Sequence, residues 1–181
     1  MADEMGSETL KNRLIIAGIE EISVHGIRGF SLRRVAMRCD ASCAAPYRHF
    51  KNREDFIREI VAYINSQWHL LSDNIIRLYA GDALRQLTEL SVAYIRFLAA
   101  NANYRAALTA SGEIGFENRE FVTLLDSYCL EQGMAEAERA RMLYAFRALI
   151  FGTVAMLGSG ELQNEEATFE QVRATLLSLL H

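Results

Sequence analysis

Seven cations crowd between residues 28 and 53 of this sequence: Arg28, Arg33, Arg34, Arg38, Arg48, Lys51 and Arg53. Tyr47 and His49 are set among them. Guanidinium and ammonium groups at that density neutralise phosphates, and the phenol and imidazole between them can donate hydrogen bonds to phosphate oxygens. The chain as a whole has a formal net charge of −4, yet residues 1–53 carry +3 and residues 54–181 carry −7. A basic head on an acidic body is the pattern of a chain that touches DNA or a membrane surface at one end.

Other chemistries find less support. None of the four histidines has a glutamate three residues before it, so a di-metal carboxylate bundle lacks its ligands. No HExxH, no GxSxG and no phosphate-cradling glycine loop occurs, and no enzyme activity or cofactor is expected. Cys39 and Cys43 lie four residues apart, a spacing that raises a metal site or a redox thiol. Metal binding needs further partners, so both read as small buried residues. With Cys129 they make an odd count, which points to a reducing compartment. The sequence does not open on a basic segment followed by an apolar run, and its longest apolar stretch, 148–158, falls short of the ~20 residues that span a bilayer. A soluble cytoplasmic protein is expected.

The elements that must position the cations read as helices. Half of the residues are hydrophobic (51%) and proline occurs once, at Pro46, where average usage predicts roughly nine. Polar residues 1–8 read as frayed. Apolar positions Leu14, Ile15, Gly18, Ile19 and Ile22 mark a first helix that stops near Gly26. Ser31 caps a short helix through Arg38, Ser42 caps a second short helix over 43–50, and Asn52 opens a long fourth one. Its stripe of Ile57, Ile60, Ile64, Trp68, Leu71, Ile75 and Leu78 runs for about six turns, to Gly81-Asp82. Further helices follow around 84–98, 121–129, 142–157 and 169–179, with a short piece at 104–108 and a loop at 111–117. The fold class is therefore all-α. Two short helices joined by three or four residues cross steeply, which is helix-turn-helix geometry.

The segment VAMRCDASCAAPYRHFKNREDF resembles the signature of the tetracycline-repressor (TetR) family of transcriptional regulators. Val35-Ala36 stand for its apolar-Ala pair, Ser42 for its capping serine, and Tyr47-Arg48-His49-Phe50 for its Tyr-x-His-Phe. Ala17-Gly18, Gly26, Phe30 and Ser31 agree upstream, and the resemblance covers about residues 10–60. Cys39-Asp40-Ala41 replaces Ala-Gly-Val, so the turn relies on Asp40 to adopt the backbone of glycine. The resemblance implies phosphate contacts from Ser31, Tyr47, His49 and Arg53, with Lys51 in the same cluster. It implies base contacts from Cys43, Ala44 and Ala45, whose small side chains suit thymine methyls. Base hydrogen bonding would then fall to Arg33, Arg34 or Arg48.

It also implies a helix-turn-helix domain over 1–53 and a helical regulatory and dimerisation domain over 54–181. Helices 136–158 and 166–180 would pair with a second copy, so that two heads read a palindromic operator as a homodimeric repressor. Trp68, Tyr94, Phe97, Tyr104, Phe116, Tyr128, Met142 and Phe146 are candidates to line a pocket for a small apolar or aromatic effector. Each alone reads more readily as ordinary core. A helical binding or adaptor protein without DNA affinity is the competing reading, and the basic Tyr47-His49-Lys51-Arg53 cluster is what argues against it.

Overall fold

The computed structural model describes residues 2–101 and 119–180. Among these residues all regular structure is helical, and no strand occurs. The α-helices are α1 (Ala2–His25), α2 (Leu32–Arg38), α3 (Arg53–Leu78), α4 (Ala83–Ala100), α5 (Arg119–Glu131), α6 (Glu136–Ser159) and α7 (Glu166–Leu180). A single 3-10 turn, Pro46–Arg48, lies between α2 and α3. The chain divides into two compact units, and α3 contributes its first half, through Gln67, to one and its second half to the other.

In the first unit α1 is already helical at Ala2, so the expected frayed start is not seen. Gly26, with φ +66°, turns the chain out of α1. The Ser31 hydroxyl accepts from the Arg34 N–H at 3.5 Å to start α2. Asp40 takes φ +53°, the left-handed conformation that the turn demands of a residue without glycine's freedom. Leu14, Val35, Ala36, Phe50, Phe56 and Ile57 close the core of this unit, each 2% exposed or less. Phe56 sits between Phe50 and Phe30, with ring centroids at 4.1 and 5.5 Å.

In the second unit α4 is the central helix and packs against α5, α6 and α7. The Asp82 carboxylate accepts the Arg85 N–H (3.0 Å) and sets its start. The apolar stripe expected along α3 holds through Trp68, which is 2% exposed. Beyond it Leu71 and Leu78 are exposed, and Ser72 is buried in their place. Steps of four from Ile64 to Trp68 lead to Ser72, so the buried face of the helix drifts off the expected stripe. Ser72 satisfies its hydroxyl within the helix, donating to the His69 carbonyl at 3.0 Å. Arg173 locks α7 to α4 through both oxygens of Glu89, at 2.8 and 3.2 Å. It also reaches Glu166 at 2.7 Å.

Candidate nucleic-acid interface

The segment expected to form the reading helix is not an α-helix. After the Cys43–Ala45 turn, only Pro46–Arg48 is helical, and that as one 3-10 turn. Pro46 is the cause. It has no N–H, and its ring would collide with the carbonyl four residues back, that of Ser42. The backbone closes shorter rings instead: Ala45 donates to the Ser42 carbonyl (2.9 Å), Arg48 to Ala45 (3.1 Å) and His49 to Pro46 (3.0 Å). Ser42 therefore opens a turn through its carbonyl, where a capping hydroxyl was expected.

Around that turn the side chains sort by exposure. Ser42, Cys43 and Ala44 are exposed, as are Arg48 and Tyr47, the latter 61% exposed. Ala45 is buried at 7% exposure, so its methyl packs into the head and is not presented to a groove. His49 is half-buried, with its ring 6.0 Å from that of Phe50. Cys43 departs from the expected buried thiol, whereas Cys39 is buried and burial pushes its pKa up. Asn52 Oδ1 accepts the Asp55 N–H (2.8 Å), and the Asp55 carboxylate turns back to the Lys51 N–H (2.9 Å). This reciprocal cap fixes where α3 begins, and so where Lys51 and Arg53 stand.

The cations divide into two groups. Arg33, Arg48, Lys51 and Arg28 are exposed, and none of their side chains is held in a hydrogen bond or ion pair among the described residues, although the Lys51 charge acts on the Asp55 carboxylate. Arg34 and Arg53 are engaged. Arg34 Nε donates to Glu21 Oε1 at 2.7 Å, and its Nη2 reaches Glu21 and the Gly29 carbonyl. Arg53 donates to the Ile27 carbonyl and lies 5.8 Å from the Phe30 ring centroid. Glu21, wholly buried, was missed by reading the sequence. Its signal was there: an acidic residue seven after Leu14 and three after Gly18 sits on the apolar stripe of α1.

Residues 14–60 match the family of bacterial regulatory proteins of the tetR type. Those residues form a tetR-type N-terminal domain. No curated protein matches the sequence significantly. Solved structures resemble this fold. A candidate tetR-family regulator from Mesorhizobium loti MAFF303099 aligns with a TM-score of 0.70 and 20% identity over 96% of each chain. NalD, the secondary repressor of the MexAB-OprM multidrug efflux pump in Pseudomonas aeruginosa, gives 0.62 and 20% identity over 96% of each chain. A TetR variant from Acinetobacter baumannii AYE in complex with minocycline gives 0.59 and 18% identity over 92% of each chain. At these identities the likeness is one of fold.

The residues expected to line an effector pocket fall into two clusters in the second unit. Trp68 meets Tyr94 edge-on at 4.6 Å and Phe97 at 5.4 Å, and Tyr94 stacks on Phe97 at 6.1 Å. The Trp68 indole N–H is buried without a hydrogen-bond partner. Phe146 lies 5.6 Å from Phe121, with Met142 one turn earlier on α6 and half-buried. Tyr104 and Phe116 lie outside the described residues. A groove of about 350 Å³ runs between α5 and α6, lined by Val122, Asp126, Cys129, Arg139 and Leu143 among others. None of the expected aromatic residues that the structure describes lines it.

One helix among the described residues, α6, is long and apolar enough to cross a membrane by length and composition. The unbroken run at 148–158 understated it, because the helix carries its apolar character past Arg147. Only 17% of its most apolar window is buried, and Tyr144 on it is 75% exposed.

Proposed function

We propose that this chain is a cytoplasmic transcriptional regulator of the tetR family that grips a palindromic operator as a homodimer and releases it on binding a small apolar or aromatic molecule. The observation that carries the reading is the group of exposed cations Arg28, Arg33, Arg48 and Lys51, none held in an ion pair among the described residues, around a turn that presents Tyr47. Cations not held in an ion pair on a folded head suit phosphates, and His49 and Ser31 stand beside them as further hydrogen-bond donors. Exposed Ser42, Cys43 and Ala44 suit close approach to base edges, with apolar contact from the latter two. The relatives add support at the level of fold: NalD is a repressor, and the Acinetobacter TetR variant holds minocycline.

Homodimerisation is supported by α6. Its own chain fully buries only 17% of its most apolar window, and the half-buried and exposed remainder, Tyr144 included, offers an apolar surface to a partner. A second copy supplies the same surface by two-fold symmetry. The effector reading is supported by Trp68, Tyr94 and Phe97. A buried indole N–H without an acceptor is costly, and a ligand oxygen would satisfy it.

The deciding experiment is fluorescence anisotropy of the purified protein on labelled DNA from upstream of its own gene, repeated across salt. The expected result is saturable binding by two protomers per duplex, with log affinity falling steeply against log salt. A folded protein that binds no duplex at low salt overturns the regulator reading. The labelled complex then serves to screen aromatic molecules for release.

A further inference from the structure

Of the nine Lys and Arg residues in 1–53, five are already held by the protein. Lys11 pairs with Glu59 (2.7 Å), Arg13 donates to the Cys39 carbonyl (2.8 Å) and Arg38 pairs with Glu20 (3.2 Å). Arg34 and Arg53 make up the five, and these two converge on one place. Arg34 comes from α2 and binds the Gly29 carbonyl; Arg53 comes from the start of α3 and binds the Ile27 carbonyl. Both acceptors belong to the connection that joins α1 to α2.

We infer that Arg34 and Arg53 are positioning residues that fix the α1–α2 connection in the DNA-reading head, and that phosphate neutralisation falls to Arg28, Arg33, Arg48 and Lys51. The assignment rests on the proposed DNA binding and says which cations perform it. The physical reason is the buried Glu21 carboxylate. Its Oε1 is bound by Arg34, while Oε2 has no hydrogen bond, with only His25 and Arg38 at 3.8 and 4.0 Å. Arg34 is itself part-exposed, but swinging it out to a phosphate takes the hydrogen bonds from a wholly buried carboxylate, which costs more than an exposed contact returns. Arg53 has no buried carboxylate partner, but a move to phosphate strips the Ile27 carbonyl of its side-chain donor and the Phe30 ring of its cation.

The assignment has a numerical consequence. Four cations on each of two protomers give a slope of log affinity against log salt of about −7, whereas six on each give about −11. Arg34→Gln, Arg53→Gln, Glu21→Gln and Arg48→Gln are compared with the parent protein on one duplex, with thermal melts to confirm folding. Arg48→Gln is expected to flatten the slope by about two units per duplex. Arg34→Gln and Arg53→Gln are expected to weaken binding at every salt concentration and leave the slope parallel. Glu21→Gln, buried and away from any duplex, is expected to weaken binding as Arg34→Gln does, and the double variant to be no weaker than either single one.

A slope flattened by Arg34→Gln as by Arg48→Gln overturns the assignment, and so does full affinity in Glu21→Gln. Should Arg34→Gln fail to fold, the isosteric Glu21→Gln carries the test alone. A parent protein that binds no duplex overturns the DNA reading itself, a result distinct from either.

Discussion

The Tyr128 hydroxyl donates to the Leu180 carbonyl at 3.0 Å in the interior of the second unit. The last carbonyls of a helix have no partner within it, and here the phenol of α5 supplies one to the end of α7. Tyr128, an expected pocket residue, thus has its polar tip committed to the fold. Tyr128→Phe keeps the ring and removes the donor, leaving a buried carbonyl unpaired. The expected cost is about 1–2 kcal/mol of stability, read from the midpoint of urea unfolding. An unchanged midpoint would mean that the bond contributes nothing.

Acid should loosen the start of α3. The Lys51 backbone N–H, and after it the Arg58 guanidinium, hold the Asp55 carboxyl below its ordinary value of 3.8. Its folded pKa is depressed, so its contribution is fully present above the ordinary value and is lost as pH falls through the depressed one. The Lys51 amide resonance should therefore titrate with a midpoint below 3.8. A midpoint at or above that value would show the reciprocal cap to be absent in solution.

The three thiols should react unequally. Cys39 and Cys129 are buried and burial pushes both thiols up, while Cys43 is exposed. Thiolate is the reactive form, so iodoacetamide should label one site per chain quickly and two slowly, with peptide mapping placing the fast one at Cys43. Saturating operator DNA should then slow that fast phase. Equal rates with and without DNA would remove Cys43 from the proposed interface.

Gly18 lets α1 approach α3 closely. A Cβ there would lie 2.5 Å from the Phe56 ring and 2.8 Å from Ile60 Cδ1, both side chains being buried. Gly18→Ala gains helix propensity but overpacks this contact, and a net loss of about 1–3 kcal/mol is expected. A thermal melt that rises on substitution would mean the two helices part without cost.

Much of the fold was legible because its signals are local. Ser31, Asn52 and Gly26 act on backbone within four residues of themselves, and a reader of the sequence meets cause and effect together. Asp40 in place of glycine was legible for the same reason. What escaped is of two kinds. Pro46 falls inside the segment that the family pattern makes helical, and its effect is felt at a carbonyl four residues earlier, where the family pattern gives no sign of it. The engagements of Arg34 with Glu21 and of Arg53 with Ile27 join residues thirteen and twenty-six apart. Only tertiary packing decides such pairs, so a sequence shows a cluster of cations without showing which are already occupied. The same limit applied to α3, where stepping by three and four tracks either Leu71 or Ser72, and the neighbours choose.

Trp68 is the only tryptophan in the chain. Its emission therefore belongs to one known place, against Tyr94 and Phe97 in the second unit. A buried indole with its N–H unengaged emits toward the blue, and an oxygen arriving at that N–H, or water admitted beside it, moves the band to longer wavelength. The protein thus carries its own optical gauge of what happens in its interior. No label, second chromophore or added reporter stands between an effector and the light it would change.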